Sequence, residues 1–113
     1  MSYMFSNCEK LSEINLKSFD TKNVEDISYM FELCKSLQKL DLSSFNIKNV
    51  TKMKGLFKRC LSLKEINLST FHTNKNTKMK DMFSGCNSLR KIDHNDKKIE
   101  EEFKLIYDLR KLN

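Results

Sequence analysis

The sequence predicts an α/β repeat solenoid of about four 26-residue rungs, each a short helix plus a short parallel strand, with a C-terminal capping helix. Three observations carry that expectation. Phe5, Phe31, Phe57 and Phe83 recur at a constant spacing of 26 residues, and Cys8, Cys34, Cys60 and Cys86 keep the same spacing. The remaining apolar classes fall on the same ruler: Met1, Ile27, Met53 and Met79; Met4, Met30, Leu56 and Met82; Leu11, Leu37, Leu63 and Leu89. A second aromatic column, Phe19, Phe45 and Phe71, places seven of the eight phenylalanines at ladder positions. Self-similarity at such a period means that each unit buries its apolar face against its neighbours.

Residues 27–52 serve as the reference rung. Ile27, Met30, Phe31, Cys34 and Leu37 are spaced 3, 1, 3 and 3, which predicts one face of a short helix. Leu37, Leu40 and Leu42 then form L-x-x-L-x-L, whose final alternation predicts a strand with Leu40 and Leu42 inward and Asp41 outward. Residues 43–50 are a polar loop anchored by Phe45 and Val50; Val24 matches Val50, and Asn76 breaks that column. The rungs are 1–26, 27–52, 53–78 and 79–94. Along the strands Glu13, Lys39, Glu65 and Lys91 alternate in sign, as in-register parallel stacking favours.

The pattern stops where His94 answers Leu16, Leu42 and Leu68. Residues 95–113 predict the capping helix. Asn95 or Asp96 supplies the N-cap, Glu100, Glu101 and Glu102 lie in the first turns, and Arg110 and Lys111 in the last, as the helix dipole favours. Its apolar stripe is Ile99, Phe103, Ile106, Leu109 and Leu112, and a partner-binding amphipathic helix is the rival reading.

A chain of 113 residues suffices for one domain. No stretch approaches the roughly 18 apolar residues of a membrane span, and no basic segment followed by an apolar one marks a signal peptide. Met1 lies on a ladder column, so the chain opens inside the repeat. Met4, Phe5, Leu11 and Ile14 would then meet water, and either a missing upstream rung or self-association through this end is expected. The net charge of +6 comes from eighteen lysines and three arginines, with asparagine frequent. That balance is read as an A/T-rich genome before a nucleic-acid surface, since phosphate and base recognition favours arginine.

The segment from Met30 to Met53, M-F-x-x-C-x-S-L-x-x-L-D-L-S-S-F-N-x-x-N-V-T-x-M, resembles the repeat of the BspA-like leucine-rich-repeat surface proteins. The resemblance covers roughly residues 1–94, with departures at Lys75, Asn76 and His94. It implies a leucine-rich-repeat-like right-handed solenoid, and a role in adhesion and protein binding at the cell surface or in secreted material. A chain natively starting at Met1 without a signal peptide would be cytoplasmic instead.

No catalytic constellation is expected. The cysteines stand one per rung and not in C-x-x-C pairs, so buried thiols are expected in place of zinc or disulfides; helices between neighbouring rungs should hold their Cα atoms beyond disulfide reach. His72 and His94 belong to different parts of the repeat. Asp41 and Asp93 lie two strands apart, at about 10 Å, which is wide for a glycosidase pair. Neither cofactor nor metal is expected. The candidate partner-binding face is the outward strand surface: Glu13, Asn15, Lys17, Lys39, Asp41, Ser43, Glu65, Asn67, Ser69, Lys91 and Asp93. The expected function is a non-enzymatic protein-interaction or adhesion module. Its alternatives are an intracellular scaffold or self-associating repeat protein, and a polyanion binder through the basic residues Lys52, Lys54, Lys58, Arg59 and Lys64, continued by Lys75, Lys78, Lys80, Arg90 and Lys91.

Overall fold

A computed structural model describes residues 1–111, with side chains through residue 108. Its regular elements are β1 (Lys39–Asp41), β2 (Glu65–Asn67), β3 (Lys91–Asp93) and α1 (Lys97–Lys111). The strands form one parallel sheet in the order β1-β2-β3. Its register follows the 26-residue ruler: Lys39 pairs with Glu65 and Glu65 with Lys91, Leu40 with Ile66 and Ile66 with Ile92, Asp41 with Asn67 and Asn67 with Asp93. Leu40 and Ile66 are buried and Ile92 is half-buried, while Lys39, Asp41, Lys91 and Asp93 face outward, as period-two alternation requires. Single parallel bridges from Asp26 to Lys52 and from Lys52 to Lys78 repeat the offset elsewhere in the unit. The described residues thus form a small α/β fold with a three-stranded parallel sheet and one helix. The strand expected around Ile14 is not formed; residues 11–16 make no ladder with β1.

The helices expected within the repeats are also corrected. Residues 27–37 contain no α-helix; they run through overlapping turns, with Met30 N–H donating to Ile27 O at 3.2 Å, Glu32 to Tyr29 at 3.1 Å and Cys34 to Phe31 at 3.2 Å. The intervening N–H groups point sideways. Tyr29 donates to Lys54 O at 2.9 Å, Phe31 to Leu56 at 3.0 Å and Leu33 to Lys58 at 2.9 Å, each reaching the next repeat. Positive φ angles make this alternation possible at Tyr3, Tyr29, Gly55 and Asp81 and, four residues on, at Asn7, Leu33, Arg59 and Gly85. A helix with side chains is about 10–12 Å across, whereas paired strands advance about 4.8 Å per repeat, so a helix in every repeat would splay that side and curve the stack. Flat turns bring the two sides closer in pitch, and Phe5, Phe31, Phe57 and Phe83 stack with ring centroids 5.6, 6.0 and 5.7 Å apart.

The core is the set of these columns. Phe31, Phe57, Phe83, Phe45, Phe71, Leu37, Leu63 and Leu89 are buried, whereas their first-repeat counterparts Phe5, Phe19 and Leu11 are half-exposed. None of the four cysteines is in a disulfide, and Cys34, Cys60 and Cys86 are buried. No helix separates neighbouring cysteines, because the segments that carry them are turns. What the thiols do is different: Cys34, Cys60 and Cys86 point Sγ at the carbonyls of Phe5, Phe31 and Phe57, at 3.1, 3.0 and 2.9 Å. Each of those oxygens already accepts a turn N–H, from Cys8, Cys34 and Cys60 respectively. The thiol occupies the second lone pair that a buried carbonyl would otherwise leave empty. Burial, with the neighbouring thiol adding to it, pushes the Cys34 pKa up to about 11 and that of Cys60 higher still. These are inert, reduced side chains.

Gly55 marks the place where the Tyr3–Tyr29 stack, 5.0 Å between centroids, meets the third repeat. A Cβ on Gly55 would stand 2.3 Å from Tyr29 Cε1, and its φ is +57°. Gly55→Ala is expected to cost about 1–2 kcal/mol from the left-handed backbone, and to displace the Tyr29 ring. A chemical denaturation midpoint equal to that of the parent chain would overturn the left-handed backbone and the close ring contact at this position together.

Helix α1 opens on Asp96, which resolves the choice of N-cap: its Oδ1 accepts Ile99 N–H at 3.0 Å, and Asn95 lies outside the cap. Ile99 is fully buried and Phe103 meets Phe83 edge-on at 6.4 Å, while Ile106 is half-buried against the same core. Lys98 Nζ donates to Asn74 O at 2.7 Å and Thr77 O at 3.0 Å, tying the helix to the loop in which Lys75 and Asn76 depart from the repeat. The side chains expected to finish the stripe and the charge pattern, Leu109, Arg110, Lys111 and Leu112, lie outside the described residues.

Candidate interaction face

Parallel pairing gathers most of the sequence-predicted face into one place. An open depression of about 640 Å³ lies over the sheet, lined by Glu13, Asn15, Lys39, Asp41, Glu65, Asn67, Lys91 and Asp93 around Ile14, Leu40 and Ile66. Lys17, Ser43 and Ser69 do not line it. Four carboxylates face two lysines here, so the depression is acidic on a chain whose net charge is +6. Lys39 Nζ stands 3.6 Å from Glu65 Oε2, the ion pair that the alternating ladder predicts between β1 and β2; it is exposed and contributes little stability.

The central polar column has a second role that the residue pattern alone did not reveal. Asn15 Oδ1 accepts Lys17 N–H at 3.0 Å, Asp41 Oδ1 accepts Ser43 N–H at 2.9 Å, and Asn67 Oδ1 accepts Ser69 N–H at 3.0 Å. These are Asx turns that redirect the chain, and those of Asp41 and Asn67 end β1 and β2. The signal was present in Asn15-Leu16-Lys17, Asp41-Leu42-Ser43 and Asn67-Leu68-Ser69, an Asx two residues before an outward polar residue. Asp20, Asp26, Asn46 and Asn74 do the same for Lys22, Ser28, Lys48 and Asn76. Frequent asparagine therefore has a structural use in this chain beside any genomic bias. Hydrogen bonding from Ser43 outweighs the burial of Asp41 and, with the nearby Lys17 charge, holds its carboxyl below the usual carboxylate range.

Elsewhere the expected basic region is exposed: Lys52 and Lys78 are bridge partners, and Lys54 and Lys80 stand two residues further along the same neighbouring segments. His72 is exposed, and His94 Nε2 lies 2.6 Å from Glu100 Oε2, so the two histidines serve different surroundings. Among the described residues, no three His, Cys, Asp or Glu side chains are grouped to hold a metal ion, and no helix is long and apolar enough to cross a membrane.

A family model described as a Mycoplasma protein of unknown function, DUF285, matches residues 1–111, which span all the repeats and α1. The chain belongs to the DUF285 family. No curated protein and no solved structure matches it. The 26-residue columns, the turn segments and the acidic strand face are therefore properties of a DUF285 chain, and the family description attaches no activity to them.

Proposed function

We propose that this DUF285 chain is a non-enzymatic protein-interaction module. It reads as a leucine-rich-repeat-like right-handed solenoid of about four rungs with α1 as its C-terminal cap, related to the BspA-like surface proteins. The partner is a protein with a basic, extended surface, and it binds across the strands. The observation that carries this reading is the depression over β1–β3, where Asp41 and Asp93 share one outward column and Glu13 and Glu65 another. Parallel strands hold such columns at a fixed pitch, which suits a rigid ligand and makes several weak contacts act together. No tyrosine or tryptophan lines the depression to act as an anchor, so each contact is weak by itself.

The test removes charge without disturbing the turns. Asp41→Asn retains an oxygen for Ser43 N–H, whereas a lysine there would break the strand end as well as reverse the charge. The variant Asp41→Asn with Asp93→Asn is expected to keep the parent melting temperature. Against a lysine-rich peptide as probe, its affinity should fall several-fold, and the salt dependence of binding should become shallower. Equal affinity in a folded variant would remove the strand face from consideration. Binding of heparin through Lys52, Lys54, Lys78 and Lys80, insensitive to both changes, would favour the polyanion reading.

A further inference from the structure

The outward strand face is complementary to itself. In its alternating column Lys39 and Glu65 form an ion pair within the chain, but at 3.6 Å and with the Lys39 side chain still 78% exposed. Among the described residues Glu13 and Lys91 have no ionic partner. The neighbouring column alternates between donors and acceptors. Asn15 and Asn67 use Oδ1 for the N–H groups of Lys17 and Ser69, which orients each amide and leaves its Nδ2 donor free. Asp41 keeps a carboxylate oxygen beyond the one that accepts Ser43 N–H, and the Asp93 carboxylate keeps both.

We propose that a second copy of this chain docks on the strand face, about a two-fold axis that runs along the strands between β1 and β2. That operation sets the second repeat over the third and the first over the fourth. Lys39 then meets Glu65 of the other copy, and Glu13 meets Lys91. In the neighbouring column Asn67 donates Nδ2–H to Asp41 of the other copy, and Asn15 donates to Asp93. Each contact occurs twice, as in any isologous interface. Facing sheets stand about 10 Å apart, a gap that a lysine and a glutamate, or an asparagine and an aspartate, can bridge from opposite sides. Twisted sheets pack aligned in this manner. A two-fold axis across the strands is excluded, because it would set Asp41 on Asp41 and Asp93 on Asp93. With Lys17 included, the face carries four carboxylates and three ammonium groups, so two such faces meet nearly neutral. Self-association here rests on the strand face being the interaction face, as proposed above, and a basic partner competes with the second copy for the same carboxylates.

Sedimentation equilibrium of the full chain at low salt tests this. A dimer with a Kd between about 10 µM and 1 mM is expected, weakening as salt is added. Lys39→Glu and Glu65→Lys, made separately, should each keep the parent circular dichroism spectrum and associate about tenfold more weakly or worse, since each sets like charges together across the axis twice. Mixed in equal amounts, the two variants should recover the parent association. The new glutamate of one then meets the new lysine of the other, and the unchanged Glu65 and Lys39 meet at the symmetry-related contact. Mixing leaves the in-chain repulsion of each variant in place, so recovery reports on the interface. Glu13→Lys and Lys91→Glu give the same test at the outer contact if either inner variant unfolds. The proposal is overturned by a parent that is monomeric at about 1 mM, by single variants that dimerise as the parent does, or by a mixture that associates no better than its components. A lysine-rich peptide separates the two uses of the face. A monomeric parent that binds the peptide overturns the self-association alone, whereas a dimer recovered on mixing that the peptide does not displace overturns the basic partner alone.

Discussion

Phe57→Ala is expected to lower the unfolding free energy by about 3–5 kcal/mol, and the melting temperature by more than about 10 °C. Phe57 is fully buried, with Phe31 stacked on one face at 6.0 Å and Phe83 on the other at 5.7 Å. Deleting the ring opens a cavity bounded by two other rings that are fixed by their own backbone pairing. Phe57 N–H donates to Met82 O, and Phe57 O accepts from Cys60 N–H and the Cys86 thiol, so the backbone at this position is held on both sides and has little freedom to collapse inward. The informative comparison is Phe5→Ala. Phe5 stacks on Phe31 at 5.6 Å and touches Phe19 at 6.0 Å, but it is half-exposed, so the cost should be clearly smaller. Urea unfolding followed by circular dichroism separates the two. Equal losses would mean that the column does not act as a continuous core.

What could be read from the residues, and what could not, follows from how much each feature depends on neighbours. The 26-residue offset survives directly as register because every column member meets its own equivalent: Lys39 meets Glu65, Leu40 meets Ile66, and Phe31 meets Phe57. Inward and outward positions on β1 follow from alternation, and the buried loop anchors Phe45 and Val50 from their recurring columns. The turn segments were misread because overlapping turns bring residues i and i+3 together just as a helix does. The spacing of Ile27, Met30, Phe31 and Cys34 fits both. The lateral N–H bonds to the next repeat distinguish them, and those bonds belong to the stacked array, not to the single repeat. Tyrosine, leucine and arginine at positive φ gave no local warning, whereas Gly55 and Gly85, with Asn7 and Asp81, are residue types that adopt the left-handed conformation readily. The face was legible as a set of columns, but the bonds from Asn15, Asp41 and Asn67 to the next backbone were not, since the same residues serve an exposed surface equally well.

Removing the Asp96 carboxylate should have the next largest effect, about 2–4 kcal/mol for Asp96→Ala, from the loss of a helix cap together with charge-assisted bonds. Asp96 joins two parts of the chain. Its Oδ1 caps α1 at Ile99 N–H, while Oδ2 accepts Thr73 N–H at 2.6 Å and the Thr73 hydroxyl at 2.8 Å. Alanine leaves two backbone donors unpaired and releases the helix that covers Phe83. Burial by itself would raise the Asp96 pKa, yet the N–H groups of Thr73 and Ile99 and the Thr73 hydroxyl outweigh it and hold the carboxyl below its ordinary value. A depressed folded pKa fixes the sign of the pH effect: the ionised group's contribution is complete above the unfolded pKa, about 3.9, and disappears as the pH falls through the folded value. Asp26 and Asp41 are shifted the same way, so the acid sensitivity of the parent chain is a sum over several groups. The difference in unfolding free energy between the parent and Asp96→Asn isolates this one. It should be constant from neutral pH down to about pH 4.5 and shrink below that. A gap that stayed constant down to pH 2 would show that the cap works through geometry alone, with no contribution from the charge.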